Sequence, residues 1–349
     1  MLRNCPHRLL TPIALLVVAG PVHAVDFEVG EGTLLSIYGT LEPKVINETD
    51  SDGDDSLELD DEDSTLGFRA EHRLNDELTA FGQIEVEFST DDPAGAGGGA
   101  FDEQDSAFLG LKGGFGKVKV GNFDNVYEEL IIDATEVAED AEISDEGVAS
   151  EDNMIAYYSP DFGGFSFRAQ TRVIGENDDD APDQNPDNEV GFAIAGGYTA
   201  DAWGVYAGYD DRGAEAVDQF DNNGDRIENS AGNAITTSAD EGTFGVAAIG
   251  RIANVELAGK FAQQDLEDND PRGDDITFSA VRGTVGLGRT ELYGAVQTVD
   301  EDNGADRDEL TLGVKYPIWD NLLIWAEAGE FDRTNDAGDN AMVGAIFSF

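Results

Sequence analysis

Carboxylates dominate the residues able to do chemistry in this 349-residue chain: 74 Asp and Glu stand against 20 Lys and Arg, for a formal charge of −54. At this density they attract cations, or keep a surface solvated in concentrated salt, and they repel nucleic acid and anionic surfaces. Nucleophilic and acid–base chemistry is sparsely provided for. Cys5 is the one Cys and His7, His23 and His72 the only His, with no Gly-x-Ser-x-Gly elbow and no phosphate-cradling glycine loop. The stretch Asp221-Asn222-Asn223-Gly224-Asp225-Arg226-Ile227-Glu228 alternates oxygen ligands as a calcium loop does, but its Gly is misplaced for an EF-hand and such spacing arises by chance in an acidic loop. No cofactor, no metal, no nucleic-acid partner and no enzyme activity is expected.

Residues 1–24 read as a secretory signal: Arg3 and Arg8 give a positive start, Leu9 to Ala19 an apolar run, and Val22-His23-Ala24 a small-residue cleavage site. The apolar run is too short to span a bilayer. Its removal takes Cys5, His7 and His23, which leaves residues 25–349 as one domain with His72 as its sole histidine. A cysteine-free mature chain excludes disulfides and thiol chemistry.

The elements that position the charges are strands. About sixteen short alternating segments are joined by long acidic connections near 46–63, 89–102, 123–151, 174–188, 210–242, 264–275, 300–308 and 332–339. Short joints near 75–77, 113–115, 160–163, 200–202, 252–254, 288–290 and 317–321 take turns with them. The pattern predicts an all-β, 16-stranded antiparallel transmembrane barrel with short periplasmic turns and long extracellular loops. Alternation sorts the faces. Phe165, Phe167, Ala169, Thr171 and Val173 face outward against Arg168 and Arg172, and Leu66, Phe68 and Ala70 against Arg69, Glu71 and Arg73. Ala80, Gly82, Ile84, Val86 and Phe88 likewise oppose Gln83, Glu85 and Glu87.

Segments 202–210 and 322–331 are apolar on both faces, so periodicity does not sort them. His72 falls on the outward set beside a short turn. Trp203, Trp319, Trp325, Tyr158, Tyr198 and Tyr316 suit the aromatic girdles at the bilayer edges. Because unpaired strand edges are costly in lipid, the last strand, Asn340 to Phe349, must pair with the first.

Several stretches resemble the general porins of Gram-negative bacteria, the trimeric sixteen-stranded diffusion channels. LLSIYGTLEPKV (34–45) is similar to their first strand, STLGFRAEHRLNDELTAFGQIEVEF (64–88) to the second and third, and DSAFLGLKGGFGKVKVGN with VYEEL (105–130) to the fourth and fifth running into the third loop. NMIAYYSPDFGGFSF (153–167) resembles the hairpin after that loop, and AIFSF (345–349) the terminal Phe strand.

The resemblance implies an outer-membrane homotrimer assembled by the barrel assembly machinery through the Phe349 strand, passing small ions and solutes. It also implies an inward-folded third loop, here near 123–150, carrying Asp133, Glu136, Glu139, Asp140 and Glu142 with no Lys or Arg. Opposite that loop the family sets a ladder of Arg. This chain departs from it with Thr65, Asp105, Asn122 and Ala156, while Arg69, Arg73, Lys112, Lys117, Lys119, Arg168 and Arg172 remain as basic wall residues. Arg69, Glu71, Arg73, Glu85, Glu87, Asp105, Lys112, Lys117, Lys119, Arg168 and Arg172 are thus the expected pore lining. Rings of carboxylate favour cations, so the expectation is a cation-preferring porin. A sugar-selective channel is the alternative, and chain-wide salt adaptation is a competing cause of the acidity.

Overall fold

The computed structural model describes residues 24–90, 104–148, 151–174, 189–211, 215–218, 236–239, 242–266, 275–302 and 306–349. The proposed signal, the calcium-like stretch 221–228 and most of the long connections 89–102, 174–188 and 264–275 lie outside the described residues.

The chain folds into β1 (Val25–Glu28), β2 (Thr33–Leu41), β3 (Pro43–Thr49), β4 (Asp55–Asp61), β5 (Thr65–Arg73), β6 (Leu78–Glu87), β7 (Ser106–Gly113) and β8 (Gly116–Asn122). After the third long connection come β9 (Met154–Tyr158), β10 (Phe165–Ile174), β11 (Glu189–Thr199) and β12 (Trp203–Asp211). A hairpin of β13 (Glu215–Asp218) and β14 (Thr236–Ala239) precedes β15 (Gly242–Ile252), β16 (Val255–Asp265), β17 (Asp275–Leu287), β18 (Thr290–Glu301), β19 (Arg307–Trp319), β20 (Leu322–Glu330) and β21 (Asn340–Ser348). Adjacent strands of the sheet pair antiparallel, β12 with β15, and β13 and β14 form a separate two-stranded sheet. The sheet closes where β21 pairs β3 through Met342↔Ile46 and β2 through Thr40↔Ser348.

Since β2 runs on into β3 and β4 into β5 with only short interruptions, the wall is a closed barrel of sixteen antiparallel strands. The two interruptions face each other and are stitched together: Glu42 donates its N–H to Ser64 Oγ at 2.9 Å, and Ser64 donates its own N–H to Asp61 at 2.8 Å. At the seam Gly39 and Phe349 exchange both backbone hydrogen bonds, at 3.1 and 3.0 Å. Below Phe349, where β21 has ended, β1 takes over as partner of β2 through Val25↔Ile37 to Glu28↔Leu34. Lipid cannot hydrogen-bond a free strand edge, and the amino-terminal segment covers this one.

The first long connection, expected at 46–63, is instead mostly strand. β3 and β4 continue the first hairpin in register from Pro43↔Asp61 to Thr49↔Asp55. Only residues 50–54 turn, with Asp50 Oδ1 accepting the N–H groups of Asp52 and Asp54 at 2.9 Å and Gly53 at φ 83°. The acidic composition there marks hairpin arms in water, not an irregular loop.

Alternation along the strands is strict where it is needed. In β18 the buried Tyr293, Ala295, Gln297 and Val299 alternate with exposed Leu292 and Val296. The outward residues are apolar all round the wall, among them Ile84, Leu109, Phe165, Phe192, Leu257, Val281 and Leu312. Trp203, Trp319, Tyr198 and Tyr316 are exposed, as an interfacial girdle requires. Two of the expected girdle residues are not part of it. Trp325 is 4 % exposed and Tyr158 8 %, because both share the inward register with charged neighbours, Lys315↔Trp325 and Lys117↔Tyr158.

Candidate functional site

Residues Phe123–Val148 leave the end of β8 and run along the inner wall. Their first half is apolar for a mechanical reason. Phe123, Val126, Tyr127, Leu130, Ile131 and Ile132 are buried against Met154, Ala156, Ala193, Ala195 and Ala247 on the inner faces of β9, β11 and β15. Two glycines complete this bed. A Cβ on Gly245 would stand 2.2 Å from Tyr127 Oη and 2.5 Å from Ile131 Cγ2, and one on Gly208 2.8 Å from Tyr127 Cδ2. Small wall residues therefore make the space that the large loop residues fill. The apolar inner face of 202–210 that defeats a periodicity reading is explained by this covering.

The second half of the loop is held by polar contacts. Glu327 on β20 accepts the N–H groups of Glu139, Asp140 and Ala141 at 2.6, 3.0 and 3.1 Å. Glu309 on β19 accepts from Ser144 N at 2.7 Å and Ser144 Oγ at 2.5 Å. Each wall carboxylate thus satisfies loop donors that would otherwise be buried without partners, and charge-assisted bonds of this kind contribute about 1.5–3 kcal/mol each. Trp325 and Met342 pack with Ala141, and Ile143 with Ala280 and Ala295.

Wall cations take up five loop carboxylates. Lys260 bonds Glu146 at 2.7 Å, both side chains fully enclosed, and Asp145 at 3.5 Å, while Lys315 pairs Glu139, Lys44 pairs Asp140, and Arg168 pairs Glu129. Arg282 donates to the Ala134 carbonyl at 2.7 Å. Among the described residues Asp133, Glu136 and Glu142 form no ion pair. Glu136, Glu142 and Asp145 place carboxylate oxygens within 4.8 Å of one another.

Desolvation by the surrounding loop and wall atoms, reinforced by repulsion between neighbouring carboxylates, raises their proton affinities even though Glu142 and Asp145 keep exposed surface. Asp133 is pushed up to about 7, Glu136 to about 8 and Glu142 to about 9. Asp145 rises less, to about 6, because Lys260 opposes the same desolvation.

The expected lining residues fall into three groups. Arg69, Glu71, Glu85, Lys112 and Lys117 stand on the inner face of β5 to β8, the part of the wall the loop leaves bare. There Arg69 donates to Gln83 at 2.7 Å beside the Tyr38 ring, Lys112 pairs Glu71 at 2.6 Å, and Glu85 accepts from Tyr38 at 2.5 Å. Lys117 lies 3.8 Å from the Tyr158 ring centroid. Glu87 ends β6 and Asp105 immediately precedes β7, at the end of the same wall where the long connection joins them.

A second group is not open to the lumen. Lys119 is buried between the Phe108 and Phe123 rings, at 4.7 and 4.0 Å, and Arg172, 1 % exposed, is walled in beside Asp152 at the loop's far root. Arg168, only partly covered, meets Glu129 of the loop. The third is Arg73, whose guanidinium turns to Asp76 in the periplasmic turn at 2.8 Å.

Of the loop acids, Glu139 and Asp140 are taken by the wall; Asp133, Glu136 and Glu142 are not. Lys44, Lys260, Arg282, Lys315, Glu309 and Glu327, which seat the loop, escape a sequence reading. The loop partner of each lies more than 90 residues away in the chain, so no local pattern marks it.

A sequence profile of the Gram-negative porins matches residues 11–337. The chain belongs to the Gram-negative porin family. It is 28 % identical to the monosaccharide porin of a Halomonas species over 98 % of this chain and 99 % of that protein. It is 29 % identical to outer membrane porin F of Salmonella typhimurium strain LT2 over 64 % of this chain and 63 % of that one. Among solved structures, that of Salmonella typhi OmpF in complex with daunomycin superposes with a TM-score of 0.69 at 19 % identity, covering 93 % of this chain and all of that one. The in-vitro folded OmpT of Vibrio cholerae, in its trimer form, gives 0.66 at 20 % identity over 91 % of this chain and all of that one. This porin is an outer-membrane channel for passive diffusion.

Proposed function

We propose that the porin passes small hydrophilic solutes and ions with a preference for cations, and that Phe123–Val148 is its constriction. One observation carries this reading. The loop's carboxylates divide into those neutralised by wall cations and those left without one, and Asp133, Glu136 and Glu142 belong to the second set. Once ionised, as they increasingly are above neutral pH, carboxylates at a constriction that no cation neutralises draw cations in and repel anions. The bare wall of β5 to β8 supplies the opposing positive side through Arg69 and Lys117, so the aperture lies between an acidic loop and a thin basic wall. Planar-bilayer recording in a salt gradient tests the reading: a reversal potential on the cation side supports it, and one on the anion side refutes it.

A second reading is sugar passage. It is favoured by the likeness to a protein named a monosaccharide porin along nearly the whole chain. Phe81, on the inner face of the bare wall beside Lys112, offers flat apolar surface for a sugar ring. Swelling of proteoliposomes in glucose against an equal-sized charged solute separates the two.

The same proposal includes residues 1–24 as a cleaved export signal and a homotrimer in the membrane. It further includes insertion through the Phe349 strand by the barrel assembly machinery, with no catalytic step at any stage. The trimer has the support of porins of this architecture. Chemical cross-linking of the native outer membrane, read as monomer, dimer and trimer bands, tests it.

A further inference from the structure

We infer that the porin seats the head group of a zwitterionic, primary-amine phospholipid on its outer surface at the periplasmic rim, between Arg289, Trp319 and Asp320. Arg289 sits in the turn joining β17 and β18, and Asp320 and Asn321 in the turn joining β19 and β20. Both belong to the set of short turns. The Arg289 guanidinium reaches past the end of β18, donates to the Ile318 carbonyl at 2.9 Å and lies 5.8 Å from the Tyr316 ring centroid.

That position is on the lipid side. Lys315 points inward, where it bonds the loop carbonyl of Val137 at 3.0 Å, so Tyr316, the next residue of the strand, points outward, and so does the guanidinium over it. The carbonyl is available because the β19–β20 ladder slips between Pro317 and Trp319, leaving Ile318 without a register partner.

Arg289, Ile318, Trp319, Asp320 and Asn321 line one open groove of about 720 Å³. Trp319 is 65 % exposed, and the outward side chains next into the strands are apolar, Leu292 and Ile324. A cation, an amphipathic ring and an apolar wall in that order match the polar-to-apolar gradient of a lipid at the interface. Among the described residues Arg289 has no ion pair, so its guanidinium keeps donors for a phosphodiester, which it can engage through two oxygens.

Asp320 decides the rest of the head group. A carboxylate in the same groove opposes a second negative charge and accepts hydrogen bonds from an ammonium, which a trimethylated amine cannot donate. Ethanolamine-type lipid is therefore preferred over choline-type, and choline-type over the anionic glycerol type. Inorganic phosphate offers the same anion to Arg289 but neither the amine nor the chains.

The test is native mass spectrometry of the mature porin from outer membranes, stripped in detergent and mixed with phosphatidylethanolamine, phosphatidylcholine and phosphatidylglycerol of identical chains. The wild type should retain ethanolamine lipid about fivefold over choline lipid. Arg289→Gln should lower retention of both ethanolamine and choline lipid, Arg289→Lys should restore part of it, and Asp320→Asn should narrow the ethanolamine-to-choline ratio with choline retention unchanged. Ten-millimolar phosphate should displace none of it. Equal retention of the three lipids by the wild type, unchanged retention in Arg289→Gln, or displacement by phosphate overturns the assignment. Should Arg289→Gln lose its β-rich circular dichroism, Asp320→Asn and the wild-type lipid ranking still decide.

Discussion

Ala141 of the loop donates its backbone N–H to Glu327 on the far wall at 3.1 Å, and the same carboxylate takes the two preceding amides and the Tyr293 hydroxyl. One side chain on β20 thus fixes where a loop that starts at β8 must stop. Four donors converge on two oxygens, so the loop tip has one position in which its buried amides are satisfied.

Replacing Glu327 with Ala leaves those amides unpaired and should free the loop tip at a cost of about 2–5 kcal/mol. Trp325, buried against Ala141, reports the event. Its fluorescence should shift to the red and single-channel current should become noisier. An unshifted spectrum with unchanged current would mean the apolar first half holds the loop unaided.

Gly245→Val tests that first half. The added side chain meets Tyr127 and Ile131 at distances no rotamer relieves, and overpacking of this kind costs about 1–3 kcal/mol. The variant should assemble its barrel with normal heat-modifiable mobility but show altered conductance and faster protease cleavage within 123–148. Wild-type conductance would show that the loop does not rest there.

Lys260→Met removes the one cation that, among the described residues, touches Glu146, a side chain that is fully enclosed. Breaking one half of a buried pair costs about 3–5 kcal/mol. The variant should unfold at a lower temperature, and Lys260→Met combined with Glu146→Leu should recover most of the loss. A double variant no more stable than the single one would count against the pair.

Selectivity should depend on pH with a definite sign. Asp133, Glu136 and Glu142 hold their protons up to about 7, 8 and 9. They are therefore largely neutral at pH 6 and gain charge as pH rises to 9. Cation preference should grow across that window, and the cation-to-anion permeability ratio at four pH values measures it. A ratio flat from pH 6 to 9 would place the selecting charges elsewhere.

Much of the barrel can be read from residues alone, because lipid on one side and water on the other impose a period of two that Phe165–Val173 and Leu66–Arg73 display plainly. The reading fails wherever the inner face does not meet water. Tyr158 and Trp325 look like interfacial aromatics and are instead loop contacts, and 202–210 looks ambiguous because Gly208 lies under Tyr127. It fails again at 46–63, where Asp-rich arms extend the first hairpin above the membrane and composition masks the alternation of Val45, Asn47, Leu57 and Leu59. The acidity of the constriction is visible in the chain; its division into paired and unpaired carboxylates is not, since Lys44, Lys260 and Lys315 meet their loop partners only when the barrel closes.

The central claim is that three unpaired loop carboxylates set the sign of the field in the pore. It is tested most directly by the zero-current potential in a tenfold potassium chloride gradient, for the wild type and for Asp133→Asn, Glu136→Gln, Glu142→Gln combined. The account predicts a cation-side potential at pH 8 that falls toward zero in the triple variant, with conductance at high salt nearly unchanged. An unchanged potential in the triple variant, or an anion-side potential in the wild type, would contradict it.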